Sequence, residues 1–196
     1  MAALDALEVV TAPDRATWRA WLAANHATSP GALLQLARRR GSAATRVSYD
    51  EAVEEALCFG WIDGRQLPGD ESLVRQHFAP RRPGGTWART NKERVERLER
   101  EGRMTEVGRR VIAAAMADGS WAALDEVDAQ VVPDDLAVAL AANAEGGAQF
   151  AAFSPSVRRG FLWWIKSAKR PATRQQRVED TVWLAAQGIR EPRRRP

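Results

Sequence analysis

With two histidines and one cysteine in 196 residues, any chemistry this chain performs has to rest mainly on guanidinium, carboxylate and indole groups. Pro80-Arg81-Arg82-Pro83, followed by Trp87 and Arg89, joins a stiff backbone, two planar cations and an aromatic face in one stretch. A guanidinium fork matches two oxygens of a phosphate or carboxylate at once, and an indole face steadies the cation. The competing reading gives Arg81 and Arg82 to the chain's own carboxylates and Trp87 to the core. Lys166, Lys169 and Arg170 form a second basic set near Arg174 and Arg177, read either as a solvated helix face or as an anion site.

Asp63 and His77 fall where two strands of a hairpin would face each other, which suits either a proton shuttle or a plain cross-strand contact. Cys58 lies near the C-terminal end of a predicted helix, where the dipole opposes a thiolate, so a buried inert thiol is expected. The glycine-rich nucleotide loops, the H-E-x-x-H zinc motif and the G-x-S-x-G elbow are all missing from the sequence, which counts against the enzyme classes they mark. Neither a metal cage nor another cofactor is expected from two histidines and a single cysteine.

The elements that must hold these groups can be read from periodicity and caps. Pro13 to Asn25 reads as an amphipathic helix with Trp18, Trp21 and Leu22 on one stripe, and Ala32 to Ala37 reads as a strand. Ser48 and Glu51 make a capping box for the helix carrying Ala52, Val53, Ala56 and Leu57, and Gly60 suits its left-handed end. Trp61 to Gln66 and Ser72 to Ala79 flank a Pro-Gly turn as an antiparallel hairpin. Beyond Gly85 the spacing predicts helices only. Thr90 with Glu93, then Thr105, cap the first two of them; Pro133 opens a short one that ends before Gly146-Gly147. Ser154-Pro155 opens the next, and Pro171 or Thr173 the last.

The fold class expected is therefore α+β, a small antiparallel sheet with helices followed by a helical half. The expected organisation is an α+β domain over 1–88, a helical region over 89–189 and an unstructured segment over 190–196, with the first residues frayed.

Charge is unevenly spread. Residues 111–150 carry seven carboxylates and no Lys or Arg, whereas residues 151–196 carry eleven Lys and Arg against three carboxylates. Mutual attraction of segments within one fold is the simplest use of that pattern, and a bound polyanion the second. One cysteine excludes an internal disulfide, no apolar run approaches the ~20 residues of a membrane span, and Asp5 and Glu8 stand where an export signal would carry positive charge. A cytoplasmic protein is expected.

The run Tyr49-Asp50-Glu51-Ala52-Val53-Glu54-Glu55-Ala56-Leu57-Cys58-Phe59-Gly60-Trp61-Ile62-Asp63-Gly64, with Phe78-x-Pro80-Arg81-Arg82-Pro83 and Trp87-x-x-x-Asn91, resembles the YdeI/OmpD-associated family, also labelled bacteriocin-protection proteins. The resemblance continues through Gly102-Arg103-Met104-Thr105, Asp118-Gly119-Ser120-Trp121 and Val132-Pro133-Asp134-Asp135-Leu136 to the segment from Trp164 to Arg174. Gly84-Gly85-Thr86 and Arg65-Gln66-Leu67-Pro68 stand where more polar family segments would be expected. The resemblance implies a YjbR/CyaY-like fold and a link to bacteriocin or cationic-peptide resistance, and it carries over no catalytic residue.

Together these readings point to a non-enzymatic protein that binds an anionic small molecule or a protein partner. The expected surface is a groove between hairpin and helical half, lined by Trp61, Asp63, His77, Arg81, Arg82, Trp87 and Asn91, with Lys166, Lys169 and Arg170 as further contacts. One rival is a nucleic-acid binder using the basic stretches, including Arg193-Arg194-Arg195, although no base-reading motif accompanies them. The other is an enzyme using Asp63, His77 or Cys58.

Overall fold

In a computed structural model, which describes residues 4–38, 47–69 and 72–195, helix α1 (Arg15–Asn25) starts where the Asp14 carboxylate accepts from the Thr17 backbone N–H. Helix α2 (Tyr49–Cys58) starts on the expected Ser48–Glu51 capping box, with both reciprocal bonds present. It ends at Gly60, whose φ of +72° favours a residue without Cβ. A Cβ there would also lie 2.6 Å from Val111 Cγ2.

Four strands make one sheet: β1 (Glu8–Val10), β2 (Ala32–Ala37), β3 (Trp61–Pro68) and β4 (Leu73–Pro80), in the order β1-β2-β4-β3. β2, β4 and β3 are antiparallel neighbours as expected, whereas β1 runs parallel to β2. The α+β class holds, but the sheet is mixed, and Glu8–Val10 is paired where fraying was expected. Three residues are too few for periodicity to show; the pairing comes from the partner strand. The loop expected after Arg38 and the hairpin tip at 70–71 lie outside the described residues.

Alternation puts Ala32, Leu34, Leu36, Val74, Gln76 and Phe78 on one face of the sheet, all of them buried. Trp18 packs against Phe78 there, with ring centroids 5.3 Å apart, and its indole N–H donates to the Ala52 carbonyl at 3.1 Å. A buried indole without that acceptor would strand a donor in the core.

Two further helices belong to this first unit, Met1–Ala122: α3 (Arg89–Arg100) and α4 (Glu106–Ala117). Thr105 caps α4 as expected, accepting from Gly108 N, and its hydroxyl donates to the Cys58 carbonyl at 2.5 Å, so one side chain satisfies two helix ends. The proposed Thr90–Glu93 box does not form. α3 begins two residues earlier, with Ala88 at the N-cap and no side-chain bond. Asn91 and Lys92 are buried on α3 beside Val95 and Leu98.

The second unit, Ala123–Pro196, is helical: α5 (Asp125–Asp128), α6 (Asp134–Ala141), α7 (Ala144–Ala152), α8 (Pro155–Lys166) and α9 (Pro171–Ala186). Ser154 caps α8, with Pro155 in its first turn. Gly146-Gly147, read as a helix end, lies inside α7, which Asn143 opens by accepting from Gly146 N at 2.8 Å. A Cβ on Gly146 would lie 2.8 Å from the Val182 carbonyl oxygen, so glycine here permits close approach to α9 and does not stop the helix. Phe150, Phe153 and Phe161 join Leu136, Ile165 and Leu184 in a core of their own. Arg190–Arg195, expected to be unstructured, is described as far as Arg195, which lies 3.2 Å from an Asp180 carboxylate oxygen.

Candidate anion-binding site

Arg81 directly follows β4, and its backbone N–H donates to the Gly60 carbonyl at 3.0 Å. The side chain stacks on the indole of Trp87, with its guanidinium carbon 3.5 Å from the ring centroid. Trp87 is 1% exposed and packs against Trp121, centroids 4.8 Å apart. Of the three guanidinium nitrogens, Nη1 donates to the Thr86 carbonyl at 3.3 Å, while Nε and Nη2 are buried and bond nothing among the described residues. Burial, only partly offset by the charge of Asp63, pulls the group down to about 10. It therefore keeps its charge at neutral pH.

Beside it opens a cavity of about 110 Å³, lined by Arg81, Arg82, Gly84, Trp87, Val111 and Asp118, among others. At about 30 Å³ per water, that is room for roughly three or four waters, the size of a carboxylate or phosphate head. The loop is tied to the end of α4: Asp118 accepts from Gly84 N at 3.1 Å and from Ser120 N at 2.8 Å. The Ser120 hydroxyl, and after it the Ser120 and Gly84 backbone N–H groups, hold the Asp118 carboxyl below its usual range. Asp118 is thus occupied by the backbone and anchors the loop.

Of the ten residues singled out from the sequence, Arg81, Arg82 and Trp87 line this cavity. Trp61 is buried in the core, donating to the His26 carbonyl at 3.3 Å. Asn91 is buried and accepts from Arg94 at 3.0 Å. The Asp63–His77 pair does not form. Asp63 stands opposite Phe78, and a bulge then sets Gly64 and Arg65 against the single residue His77. The Asp63 carboxylate instead accepts from the Tyr49 hydroxyl at 2.5 Å. A Cβ on Gly64 would lie 2.5 Å from His77 Nδ1. Burial and the Arg65 charge lower the His77 pKa.

In the second unit Lys166 meets Glu126 at 2.6 Å, Arg159 meets Asp128 at 2.7 Å and Arg174 grips Asp135 with two nitrogens. Attraction between the acidic and basic segments accounts for these groups. Lys169 and Arg170 are exposed between α8 and α9. Cys58 is buried, and desolvation together with the Glu55 charge raises its thiol pKa. Sequence reasoning missed Gly84, Val111 and Asp118 as cavity residues; Asp118-Gly119-Ser120-Trp121 was visible as a motif, but not its contact with the loop.

Residues 10–111, just over half of the chain, match a family described as Domain of unknown function (DUF8412), and residues 130–188 match the family described as Bacteriocin-protection, YdeI or OmpD-Associated. The chain belongs to the DUF8412 family and carries a YdeI/OmpD-associated domain. No curated protein and no solved structure matches it. The resemblance read from the sequence is borne out at residues 130–188, where the motifs at Val132 and Trp164 lie, while the motifs from Tyr49 to Asn91 lie in the DUF8412 match. The cavity-lining loop at Arg81–Trp87 is DUF8412 sequence, and the cavity's other wall, at Asp118–Ser120, follows the end of that match.

Proposed function

We propose that the DUF8412 unit is a binding module for a small anion, a carboxylate or phosphate group received by Arg81 over the face of Trp87. The observation that carries this reading is the pair of buried guanidinium nitrogens, Nε and Nη2, without a bonding partner beside a cavity of matching size. A buried cation normally has a carboxylate or several acceptors around it. Arg81 has one carbonyl and an indole. The module has no paired acid and base at this site, so binding without catalysis is the reading favoured.

In this account the protein acts in the cytoplasm, where its lone buried thiol suits a reducing environment. The match of residues 130–188 to the bacteriocin-protection, YdeI or OmpD-associated family supports the reading that anion binding serves protection against bacteriocins or cationic peptides. Calorimetric titration of inorganic phosphate, acetate and citrate into the full chain tests the binding. Wild type is expected to take up at least one of them, Arg81→Met none, and Arg82→Ala one with affinity reduced about threefold to tenfold, as for a partly screened rim charge. Equal binding by wild type and Arg81→Met removes the proposal.

A further inference from the structure

A second, separate feature lies along α9 and the segment after it. Asp180 is 1% exposed, and one of its carboxylate oxygens, Oδ2, has no hydrogen-bond partner among the described residues. The other, Oδ1, accepts from Gln176 at 2.9 Å and lies 3.2 Å from Arg195 Nε. Arg195 divides its fork, since its Nη2 reaches Glu179 at a long 3.4 Å. Next to Asp180 is a cavity of about 490 Å³, lined by Ala172, Thr173, Gln176, Asp180, Arg194 and Arg195. An ionised carboxylate taken out of water costs several kcal/mol unless its lone pairs are met, and a carboxylate meets a guanidinium best through two parallel bonds. Arg195 meets Asp180 only as an ion pair at one oxygen, spends its hydrogen bond on Glu179, and leaves the space beside it open.

We propose that Asp180, with Gln176 and Thr173, is a receptor site for an arginine side chain of a second molecule, a basic peptide segment, and that Arg195 is its weak resident occupant. The occupant on view is itself a guanidinium, which states the chemistry the site accepts. Both oxygens of Asp180 would be satisfied by a bidentate fork, a geometry that the point charge of a lysine cannot reproduce. Because Arg195 is tethered to α9 through residues 187–194, it competes at an effective concentration of millimolar order, so an incoming arginine is held off until it brings further contacts. The neighbouring cation Arg194 lines the same cavity and disfavours isolated cations further, selecting a ligand that offers more than charge.

The test uses the full chain and two probe peptides, N-acetylated, C-amidated tri-arginine and tri-lysine, titrated by calorimetry at physiological salt. Arg195→Ala is expected to bind tri-arginine about tenfold or more tighter than wild type, as removal of a tethered competitor requires. The same variant is expected to prefer tri-arginine over tri-lysine at least fivefold, on the order of the advantage of a bidentate fork. Adding Asp180→Asn to Arg195→Ala is expected to abolish the preference. An Arg195→Ala chain that binds the two peptides alike, or no tighter than wild type, overturns the proposal. Should the Asp180→Asn chain fail to fold, backbone amide shifts of Arg195→Ala on adding tri-arginine decide: changes centred on Thr173–Asp180 support the site, and changes scattered elsewhere overturn it.

Discussion

A guanidinium withdrawn from water with no carboxylate to meet it is held at a cost of several kcal/mol, and Arg81 is in that position. Its contact with Trp87 returns part of the cost, about 1–2 kcal/mol for a desolvated cation over indole. The opposing charge that acts on it is Asp63, which does so only through space and is itself engaged by Tyr49. Asp63 therefore competes electrostatically with an incoming anion. Asp63→Asn is expected to tighten phosphate or carboxylate binding about twofold to fivefold, the effect of removing one partly screened charge at several ångströms; calorimetry reads it, and weaker binding would show that Asp63 helps to assemble the cavity. The bulge at Gly64-Arg65 is what separates Asp63 from His77, and simple alternation along the hairpin gave no sign of it because a single extra residue leaves the pattern on either side intact.

At the scale of elements, α2 carries the densest ionic network of the first unit. Glu55 is fully buried and meets Arg15 at 2.5 Å, Arg19 at 2.6 Å and also Arg103. Glu54 meets Arg15 at 2.7 Å and also Arg97. The network links α2 to α1, to α3 and to Arg103 in the turn between α3 and α4, so Glu55→Gln, which removes the shared anion and leaves three cations, should cost about 3–5 kcal/mol, measured by urea unfolding. A loss under 1 kcal/mol would mean that solvent replaces the carboxylate. In the second unit, Lys166 and Arg174 respectively hold the Glu126 and Asp135 carboxyls below their usual values.

A carboxylate whose folded pKa is depressed stabilises the fold above its unfolded pKa, and the benefit fades as pH falls through the folded one. Asp135→Asn is accordingly expected to lower stability at pH 7 by about 1 kcal/mol or less, as befits a partly exposed pair, with the difference shrinking as acid takes the pH below the usual carboxylate range. Urea unfolding at neutral and acid pH checks this, and an equal loss at both would assign the effect to packing. The caps Ser48, Thr105 and Ser154 were legible in the sequence because each cap and its partner are neighbours along the chain. α7, although Asn143 caps it, was not, because Gly146 is explained by Val182, far along the chain on α9. α3 starts without a side-chain cap, so Thr90 was read as the start although it lies inside the helix.

Over the whole molecule, the first unit holds a core around Trp18, Phe78 and Trp87, and the second a core around its three phenylalanines. No described helix is long and apolar enough to cross a membrane. The charge pattern that set 111–150 against 151–196 was readable from composition and is realised as ion pairs inside the second unit. Composition could not show that Arg81 would be left out of that pairing, since burial and cavity shape arise only when β4, the Arg81–Trp87 loop and α4 meet.

Two cores predict two unfolding transitions by calorimetry, and only the one belonging to the first unit should respond to an anion that occupies the Arg81 cavity, rising by about 2.7 kcal/mol of stabilisation at a hundredfold excess over Kd. The most direct measurement compares wild type and Arg81→Met in ligand-free buffer and in saturating phosphate or citrate. The account predicts that Arg81→Met melts higher than wild type without anion, because an unpaired buried charge is gone, and no longer responds to it. A wild-type melting curve that no anion moves, with Arg81→Met less stable than wild type, would contradict the account.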